Sequence, residues 1–409
     1  MRKNYSGGVV NFPKVSKAER LTDTKTEHLL ASYYGINSFD ITQRYITVLE
    51  TTVQEHLPTI KDVATLGLVN LKTKKFIQLA KTRAWNFQQG CMAHWLGTAP
   101  DSKIIYNDFR DRKFVSIILN VFTKKEECVI SHPVSGVSPE GEKAVSINFA
   151  RLRITRPDYG YDGRGCNPRL DEPYPADDGL FLIDLKTGKS KLIVSIAEVK
   201  KFLGIPSDVS AKSLMWFNHT LFNKDGTRIF FLARIQKKDR GWHTVSMTVN
   251  PDGKELRACF PSYWNWSGSH YDWYSKDKLM ITALYQEKKW CPVFFTDGKN
   301  DYQILGNGLL DFDGHGTFSP DGKWMLIDRY PDSVFHMQNL MLMDMSTNAV
   351  LSLGRFYEPP RFFNPKIPEY WRCDLHPRWS PRGDMIVFNS VHEGSRQVYI
   401  IRFEFGEVK

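Results

Sequence analysis

The chain has 409 residues, 42% of them hydrophobic and 13% aromatic, which is enough to bury a substantial core and favours strands. Its formal net charge is +10, but Lys and Arg are spread along the chain without the block of like charges that marks a tail for nucleic acid. Diffuse positive charge fits an anionic small polymer or sugar acid as well as it fits RNA or DNA.

Neither the cysteines nor the amino terminus suggests export. Six cysteines are scattered without a CxxC pair or a short disulfide spacing, which predicts free thiols in a reducing compartment. No apolar run follows the basic amino terminus, so we expect neither a signal peptide nor a membrane span. The predicted location is the cytoplasm, or the periplasm or exterior if a leader has been removed.

Short alternating strands recur along the whole chain in seven units. The first unit runs from SFDITQRYITVLE to LGLVNLKTKKFIQLA, and the last pairs DMIVF with QVYIIRFEF. Hairpin signals such as Asp252-Gly253 and Asp297-Gly298 separate the strands. The spacing of the units is close to the roughly 40 to 50 residues of a propeller blade. We predict an all-β protein, a single seven-bladed β-propeller over residues 1–409, with VVNFPK near the amino terminus closing the last blade.

The third unit carries a long insertion at about residues 151–178, with three tyrosines and five arginines. Long irregular loops in compact folds are commonly functional, so we expect this one to contribute to a site. Helical signal is weak elsewhere, and SIAEVKKFLG and DVSAKSLMW are the candidates for short helices in connections.

Four histidines stand at equivalent points of four consecutive units: His219, His270, His315 and His376. Each is followed three residues later by an aromatic residue, in order Phe222, Trp273, Phe318 and Trp379. Residues just before the innermost strands of a propeller meet near one mouth of the channel, so these imidazoles should converge. Imidazoles suit a transition metal or proton transfer. The alternative is that each histidine is structural and bonds to its neighbouring blade.

Two further donors precede His376 in the sequence CDLHPRWSPRG. Either the thiolate of Cys373 or the carboxylate of Asp374 would join His315 and His376 on a metal. Zn²⁺ accepts nitrogen and sulfur ligands, whereas Mn²⁺ prefers nitrogen and oxygen. A divalent metal, Mn or Zn, is therefore the expected cofactor, and a buried apolar thiol is the alternative role for Cys373.

The phrases DGHGTFSPDGKWMLIDRYPD and CDLHPRWSPRGDMIVFNSVHEGSRQVY resemble the oligogalacturonate lyase family, with the propeller ulvan lyases as a related possibility. The resemblance covers mainly the last four units. It implies a metal held by a histidine on one blade, matched here by His315, and by a Gln-x-x-His-x-His pattern on a later blade. Cys373, His376 and Arg378 stand where the Gln, His and His would be, and His270 matches a catalytic-site histidine of that family.

The chemistry that the resemblance implies is β-elimination on a uronate. A base removes the proton α to the carboxylate, a cation stabilises the developing charge, and an acid protonates the leaving oxygen. The propeller ulvan lyases similarly use a His and a Tyr for proton transfer and an Arg against the carboxylate. The candidates for proton transfer are His94, Tyr159, Tyr161, His219 and His270. The candidates for substrate binding are Arg153, Arg156, Arg164, Arg169 and Arg378.

The leading hypothesis is a polysaccharide or oligosaccharide lyase of carbohydrate metabolism, acting on an anionic, uronic-acid-containing glycan, with no nucleic-acid or membrane partner. The competing hypothesis is a noncatalytic TolB-like or WD-like propeller that binds a protein or a glycan, because a fold does not fix a function. A stoichiometric metal held by His315 and His376 would favour the enzyme.

Overall fold

The protein is described by a computed structural model over residues 11–163, 169, 172–239, 241–260, 262–285, 289–362 and 371–406. Arg164, a predicted substrate contact, lies outside the described residues, as does Cys166, one of the six cysteines. No helix within these ranges is long and apolar enough to cross a membrane.

The chain forms a seven-bladed β-propeller, as the strand pattern predicts. Each blade is an antiparallel sheet, and in blades one to six the strands follow one another along the chain. Blade one has the strands Glu27–Leu30, Tyr45–Thr51, Ala64–Asn70 and Phe76–Thr82. Blade two has His94–Trp95, Lys103–Arg110, Lys113–Asn120 and Glu126–Ile130. Blade three has Gly136–Val137, Lys143–Ser146, Gly179–Asp184 and Ser190–Ser195.

The other four blades contain most of the predicted site. Blade four has the strands Met215–Phe222, Ile229–Gln236, Trp242–Val249 and Arg257–Ala258. Blade five has Trp266–Trp273, Lys278–Tyr285, Trp290–Thr296 and Gln303–Ile304. Blade six has Gly316–Phe318, Trp324–Arg329, Met337–Asp344 and Val350–Tyr357. Blade seven has Arg378–Trp379, Met385–Ser390 and Gln397–Glu404, completed by Lys14–Val15 and Glu19–Arg20.

Both ends of the chain build blade seven, which closes the ring. Lys14 and Val15 pair with Glu404 and Phe403 of the last strand, and Glu19–Arg20 pairs farther along the same strand. The closing strand therefore begins at the last residue of VVNFPK and extends beyond it. Leu21, directly after these strands, is buried and packs in the apolar cluster that joins blades one and seven.

Two short helices lie in connections. Helix Ile196–Leu203 confirms the helical signal of SIAEVKKFLG and begins at a capping box, in which the Ser195 and Glu198 side chains each bond the other residue's amide. Helix Phe149–Thr155, capped by Asn148, occupies the start of the blade-three insertion and has no clear signal in the sequence. The segment DVSAKSLMW is not helical, and its last residues begin the inner strand of blade four.

A strap formed by residues 31–37 crosses the central channel and fills it with two tyrosines. Tyr33 and Tyr34 are both almost fully buried. The Tyr34 hydroxyl donates to the carbonyl of Tyr271 at 2.9 Å and accepts that residue's amide, which ties the strap to blade five. Beyond the tyrosines, Gly35 and Asn37 line a mouth of the channel that Trp379 also lines.

Arg378 holds the strap and does not face the predicted substrate site. Its guanidinium donates to the carbonyls of Ser32, Tyr33 and His376, and its side chain is 2% exposed. Burial lowers the pKa of Arg378 to about 9. The expected substrate contact is therefore replaced by a structural one, because the side chain runs from the start of the inner strand towards the strap.

Closure of the ring by the amino-terminal segment gives a test of stability. We expect Leu21→Ala to lower the free energy of unfolding by about 2–4 kcal/mol, since it leaves a cavity between the two closing blades. The measurement is a urea titration. Ile41→Ala is the matched control, because that side chain is 52% exposed and its loss should cost less than about 1 kcal/mol. Equal losses in the two variants would contradict this account of the closure.

Candidate functional site

Bulges or left-handed backbone lie at three of the four histidines, namely His219, His270 and His376. His219 lies within the inner strand of blade four, at a register shift and with φ of 52°. His376 has φ of 47° and lies two residues before the inner strand of blade seven. A bulge turns one side chain out of the alternating pattern, which is how these imidazoles reach the channel axis. The ring centroids of His270 and His315 are 3.9 Å apart, and those of His315 and His376 are 4.3 Å apart.

His315, His376 and Asp374 form a compact group of possible metal ligands. Their donor atoms lie within 4.8 Å of one another, and all three residues are buried. The Nε2 atoms of the two histidines are 3.2 Å apart, and Nε2 of His376 is 3.8 Å from the Asp374 carboxylate. Burial lowers the pKa of both imidazoles well below its usual value, so they are neutral and able to bind a cation.

Asp328 orients this group from the second strand of blade six. Its carboxylate accepts the backbone amides of His315 at 2.7 Å and of His376 at 3.1 Å, and also lies 2.9 Å from Nδ1 of His315. Burial raises the pKa of Asp328 to about 6, and the two amides oppose that rise. With the Nδ1 proton bound to a carboxylate, His315 presents the lone pair of Nε2, as metal-binding histidines do.

Cys373 does not belong to the donor group, although it was expected as a ligand. Its side chain packs with Phe362 and Val391, and burial raises the pKa of the thiol to about 12. Adjacent residues in an extended segment point in opposite directions, so Asp374 faces the histidines and Cys373 faces away. The structure thus selects the carboxylate of the two alternatives left open by the sequence.

The donor set fits a divalent metal with a preference for nitrogen and oxygen ligands. Two neutral imidazoles and one carboxylate suit Mn²⁺ or Zn²⁺, and without a thiolate in this group there is no argument for a softer ion. Asp328 supplies the outer hydrogen bond that such sites use to fix a histidine ligand.

His270 is held by a carboxylate on one side and faces a phenol on the other. Its Nδ1 lies 2.9 Å from Asp313 and its Nε2 lies 3.4 Å from the Tyr330 hydroxyl. The guanidinium of Arg372 lies over the Tyr330 ring and pairs with Asp374. A carboxylate–imidazole–phenol sequence of this kind can accept and deliver a proton.

A cavity of about 410 Å³ opens beside His270, Asp313 and Tyr330, which form part of its wall. We call it the histidine cavity. Its walls combine three arginines with imidazoles, phenols and indoles. The lining includes Arg156, Tyr159, His219, Arg234, Trp242, His270, Trp290, Asp313, Tyr330 and Arg372.

Arg234 stands out among the three arginines because it has no carboxylate partner among the described residues. Arg156 pairs with Asp158, and Arg372 pairs with Asp374. The Nε and Nη1 atoms of Arg234 are buried and make no hydrogen bond within the described part of the chain. Burial lowers the pKa of Arg234 to about 10, so the group is still charged at neutral pH. The guanidinium lies over the Trp242 ring, and a buried guanidinium without a carboxylate partner is able to bind an anion that enters the cavity.

His219 and Tyr159 meet at the wall of the histidine cavity. Their rings are in edge contact with centroids 5.1 Å apart, and Nδ1 of His219 lies 3.1 Å from the Gln89 amide. Arg156 lies over the Tyr159 ring. Burial raises the pKa of Tyr159 to about 12, so its phenol carries a proton at neutral pH.

Two of the predicted proton-transfer residues lie elsewhere. His94 lines the opposite mouth of the channel, where its Nδ1 lies 2.7 Å from the carbonyl of Met92. Met92, not His94, stands three residues before the aromatic Trp95 and has the left-handed φ of 52°, so His94 is two residues farther along the strand. Tyr161 is stacked on Phe149 and accepts a bond from Asn107, away from the histidine cavity.

Of the described arginines predicted as substrate contacts in the insertion, one lines the histidine cavity and two do not. Arg156, one of the predicted substrate contacts, lines the histidine cavity. Arg153 donates to the carbonyl of Pro157, and Arg169 pairs with Glu172 and Asp177 at the surface. Neither of these two lines the histidine cavity.

Several residues of the site are missing from the sequence-based prediction. Arg234 stands in IFFLARIQ, which reads as a buried strand, and its charge in that run is the signal that could have identified it. Asp313 and Asp328 flank His315 in DFDGHGTFSPDGKWMLID. Tyr33 stands in the loop ASYYGIN, where the sequence offers no signal of its position in the channel.

The chain is similar in fold to solved oligogalacturonate lyases. The lyase of Vibrio parahaemolyticus has a TM-score of 0.66 and 13% identity, with 96% of this chain and 98% of that chain covered. An oligogalacturonate lyase in complex with manganese has a TM-score of 0.65 and 14% identity, with the same shares covered. A puromycin-hydrolysing peptidase of Mycobacterium tuberculosis has a TM-score of 0.52 and 12% identity, with 93% of this chain and 54% of that chain covered. No protein-family model and no curated protein matches the chain. At these identities the likeness shows a shared fold, which is that of the oligogalacturonate lyases along almost the whole chain.

Proposed function

We propose that the protein is a lyase that cleaves uronic-acid-containing oligosaccharides or polysaccharides by β-elimination in the histidine cavity. The observation that carries the proposal is Arg234, a buried guanidinium that lies over the Trp242 ring but has no carboxylate partner among the described residues. It lines the same cavity as His270, whose ring contacts His315 of the candidate metal-binding group. A lyase of this class must neutralise a sugar carboxylate while it removes the neighbouring proton. Those two tasks call for a cation and a base in one cavity.

Arg234 is the proposed contact for the substrate carboxylate. A guanidinium offers two parallel N–H donors that match the two oxygens of a carboxylate. The surroundings keep the bond strong, since the side chain is 5% exposed and little water competes for it. Arg156 adds positive charge nearby, although its own partner is Asp158.

His315, His376 and Asp374 are the proposed ligands of a divalent metal, with Mn²⁺ first and Zn²⁺ second. A bound divalent cation would act as a Lewis acid that stabilises negative charge developing on the carboxylate. One of the structurally similar lyases was solved in complex with manganese, which supports the choice of ion.

Proton transfer is assigned to groups that already lie at the cavity wall. His270, oriented by Asp313, is the proposed base for the proton α to the carboxylate. Its electron pair takes the proton, the C–H electrons form the new double bond, and the glycosidic C–O bond breaks. Tyr159, whose phenol is protonated, is the proposed acid for the leaving oxygen, with His219 beside it.

The first prediction of the proposed function is the activity itself. Incubated with oligogalacturonate, polygalacturonate and ulvan in the presence of Mn²⁺ or Zn²⁺, the protein should release a product with the ultraviolet absorbance of an unsaturated uronate. Neutral glycans such as amylose serve as the control, because they lack the carboxylate. If no uronate glycan gives a signal with either metal, and glycan or protein binding persists, the noncatalytic propeller is the better description.

The metal site is tested by two neighbouring residues. We expect Asp374→Asn to weaken Mn²⁺ binding at least about tenfold, as loss of a ligand or its support does. Cys373→Ser, one residue away, should leave the affinity within about twofold, because the thiol faces the opposite side. Isothermal titration calorimetry with Mn²⁺ alone measures both. A larger loss in Cys373→Ser than in Asp374→Asn would refute the assignment.

Arg234 gives a third prediction, in which activity and stability move apart. We expect Arg234→Met to lower kcat/KM on oligogalacturonate by about 10- to 100-fold, since the carboxylate loses a charge-assisted pair. The free energy of unfolding should stay equal or rise, because an unpaired buried charge is removed. Arg169→Met is the control and should change neither quantity appreciably, since that side chain is exposed and lies outside the histidine cavity. A loss of stability that accounts for the lost activity would contradict the proposed role.

A further inference from the structure

Trp290 lines the histidine cavity with an indole that has no polar or aromatic partner among the described residues. It begins the third strand of blade five, and its side chain is half-buried. Each of the other tryptophans either meets an aromatic ring or donates its indole N–H to a carbonyl. Trp290 does neither within the described ranges, so its ring is left for something that enters the cavity.

Trp242 has the equivalent place in blade four, and its ring is already in use. It also begins a third strand and also lines the histidine cavity. The guanidinium carbons of Arg156 and Arg234 lie 4.8 and 5.8 Å from its ring centroid, and its edge meets the ring of Trp216. One of the two indoles therefore packs against the arginines, whereas the other offers the cavity an apolar surface.

Trp290 lies on the outer side of the cavity, away from the groups assigned to proton transfer. In the register of blade five it is opposite Leu284, which is opposite Ser267 of the inner strand. Since neighbouring strands are about 4.8 Å apart, the backbone of Trp290 lies about 10 Å from the strand that contains His270. Ser267, His270 and Trp290 all line the cavity, which therefore extends across this distance.

A sugar ring offers an indole a surface that it can cover. A pyranose has hydroxyl groups at its edge and a face of C–H groups, and a flat indole removes that face from water. In a uronate glycan every ring has both a carboxylate and such a face. A guanidinium and an indole in one cavity can therefore hold two rings of the same chain.

We propose that Trp290 forms an outer subsite of the histidine cavity, on which a further sugar ring of the glycan stacks. That ring lies beyond the two rings joined by the bond that is cut, one of which has its carboxylate bound to Arg234. The inference rests on the proposed function, because it extends the same cavity by one subsite. It makes the protein select for chain length, since a glycan of two rings does not reach the indole.

Trp264 provides a matched control. It is half-buried like Trp290, but its ring meets those of Tyr263 and His243, and it does not line the histidine cavity. Threonine removes the indole at either position, and at Trp290 it keeps a residue that favours strands. Trp290→Phe is the conservative variant, because it keeps a flat ring at the same place.

The experiment compares Trp290→Thr, Trp290→Phe and Trp264→Thr with the unchanged protein on digalacturonate and tetragalacturonate, with Mn²⁺ present. The quantity measured is kcat/KM where the glycan is cleaved and calorimetric affinity where it is not. We expect Trp290→Thr to lower the value for tetragalacturonate about five- to tenfold and that for digalacturonate less than about twofold. Trp290→Phe should recover most of the loss. Trp264→Thr should lower the urea midpoint and leave both values within about twofold.

The outcomes separate this inference from the proposed function. If tetragalacturonate binds without being cleaved, and Trp290→Thr weakens that binding alone, the inference stands and the lyase does not. If the unchanged protein cleaves both glycans and Trp290→Thr matches it on both, the inference is overturned and the lyase stands. An equal loss on both glycans also overturns the inference, because the indole then acts on the two rings joined by the cleaved bond. If neither glycan binds or reacts, both are overturned.

Discussion

The carboxylate of Asp328 is the interaction on which the arrangement of the site depends. It accepts hydrogen bonds from the amides of His315 and His376, which belong to adjacent blades, and from the His315 ring. One buried acid therefore sets both the distance between two blades and the direction of two imidazoles. The left-handed backbone at His376 costs energy, because the residue is not glycine. The hydrogen bond from its amide to Asp328 offsets part of that cost.

The three arginines of the histidine cavity differ in their charged partners. Arg156 and Arg372 each have an aspartate, whereas Arg234 has no acidic partner among the described residues. A protein that only needed a stable channel would gain from an apolar residue at that position. A buried arginine without an acidic partner is thus the feature of this cavity that supports the proposed binding of an anion.

The sequence predicted the blades well because strand alternation and turn glycines are local signals. It also identified the four histidines, since their spacing to the following aromatic residue records their equivalent places in the blades. It failed where direction depends on contacts from distant parts of the chain. The choice between Cys373 and Asp374 is decided by which side of an irregular segment faces the axis, and spacing contains no such information.

Arg378 and His94 show two further limits of the sequence. Arg378 stands at a position that resembles a metal ligand of the lyases, yet its donors are used by carbonyls more than 340 positions away in the chain. His94 lies only two residues beyond the register of the other histidines, and along a strand that displacement moves it about 7 Å towards the other mouth. The role of Arg378 depends on the position of the strap, and that of His94 depends on where its strand begins. Neither is encoded in local sequence spacing.

The strap has a consequence for the path of any ligand. Because Tyr33 and Tyr34 fill the channel, the histidine cavity has no rear exit through the described part of the propeller. A long polymer could not pass from one face of the propeller to the other through this channel, and a ligand of the cavity would have to leave by the opening through which it entered. For the proposed lyase, this geometry disfavours repeated cuts along one polymer without release and favours short chains or chain ends as substrates.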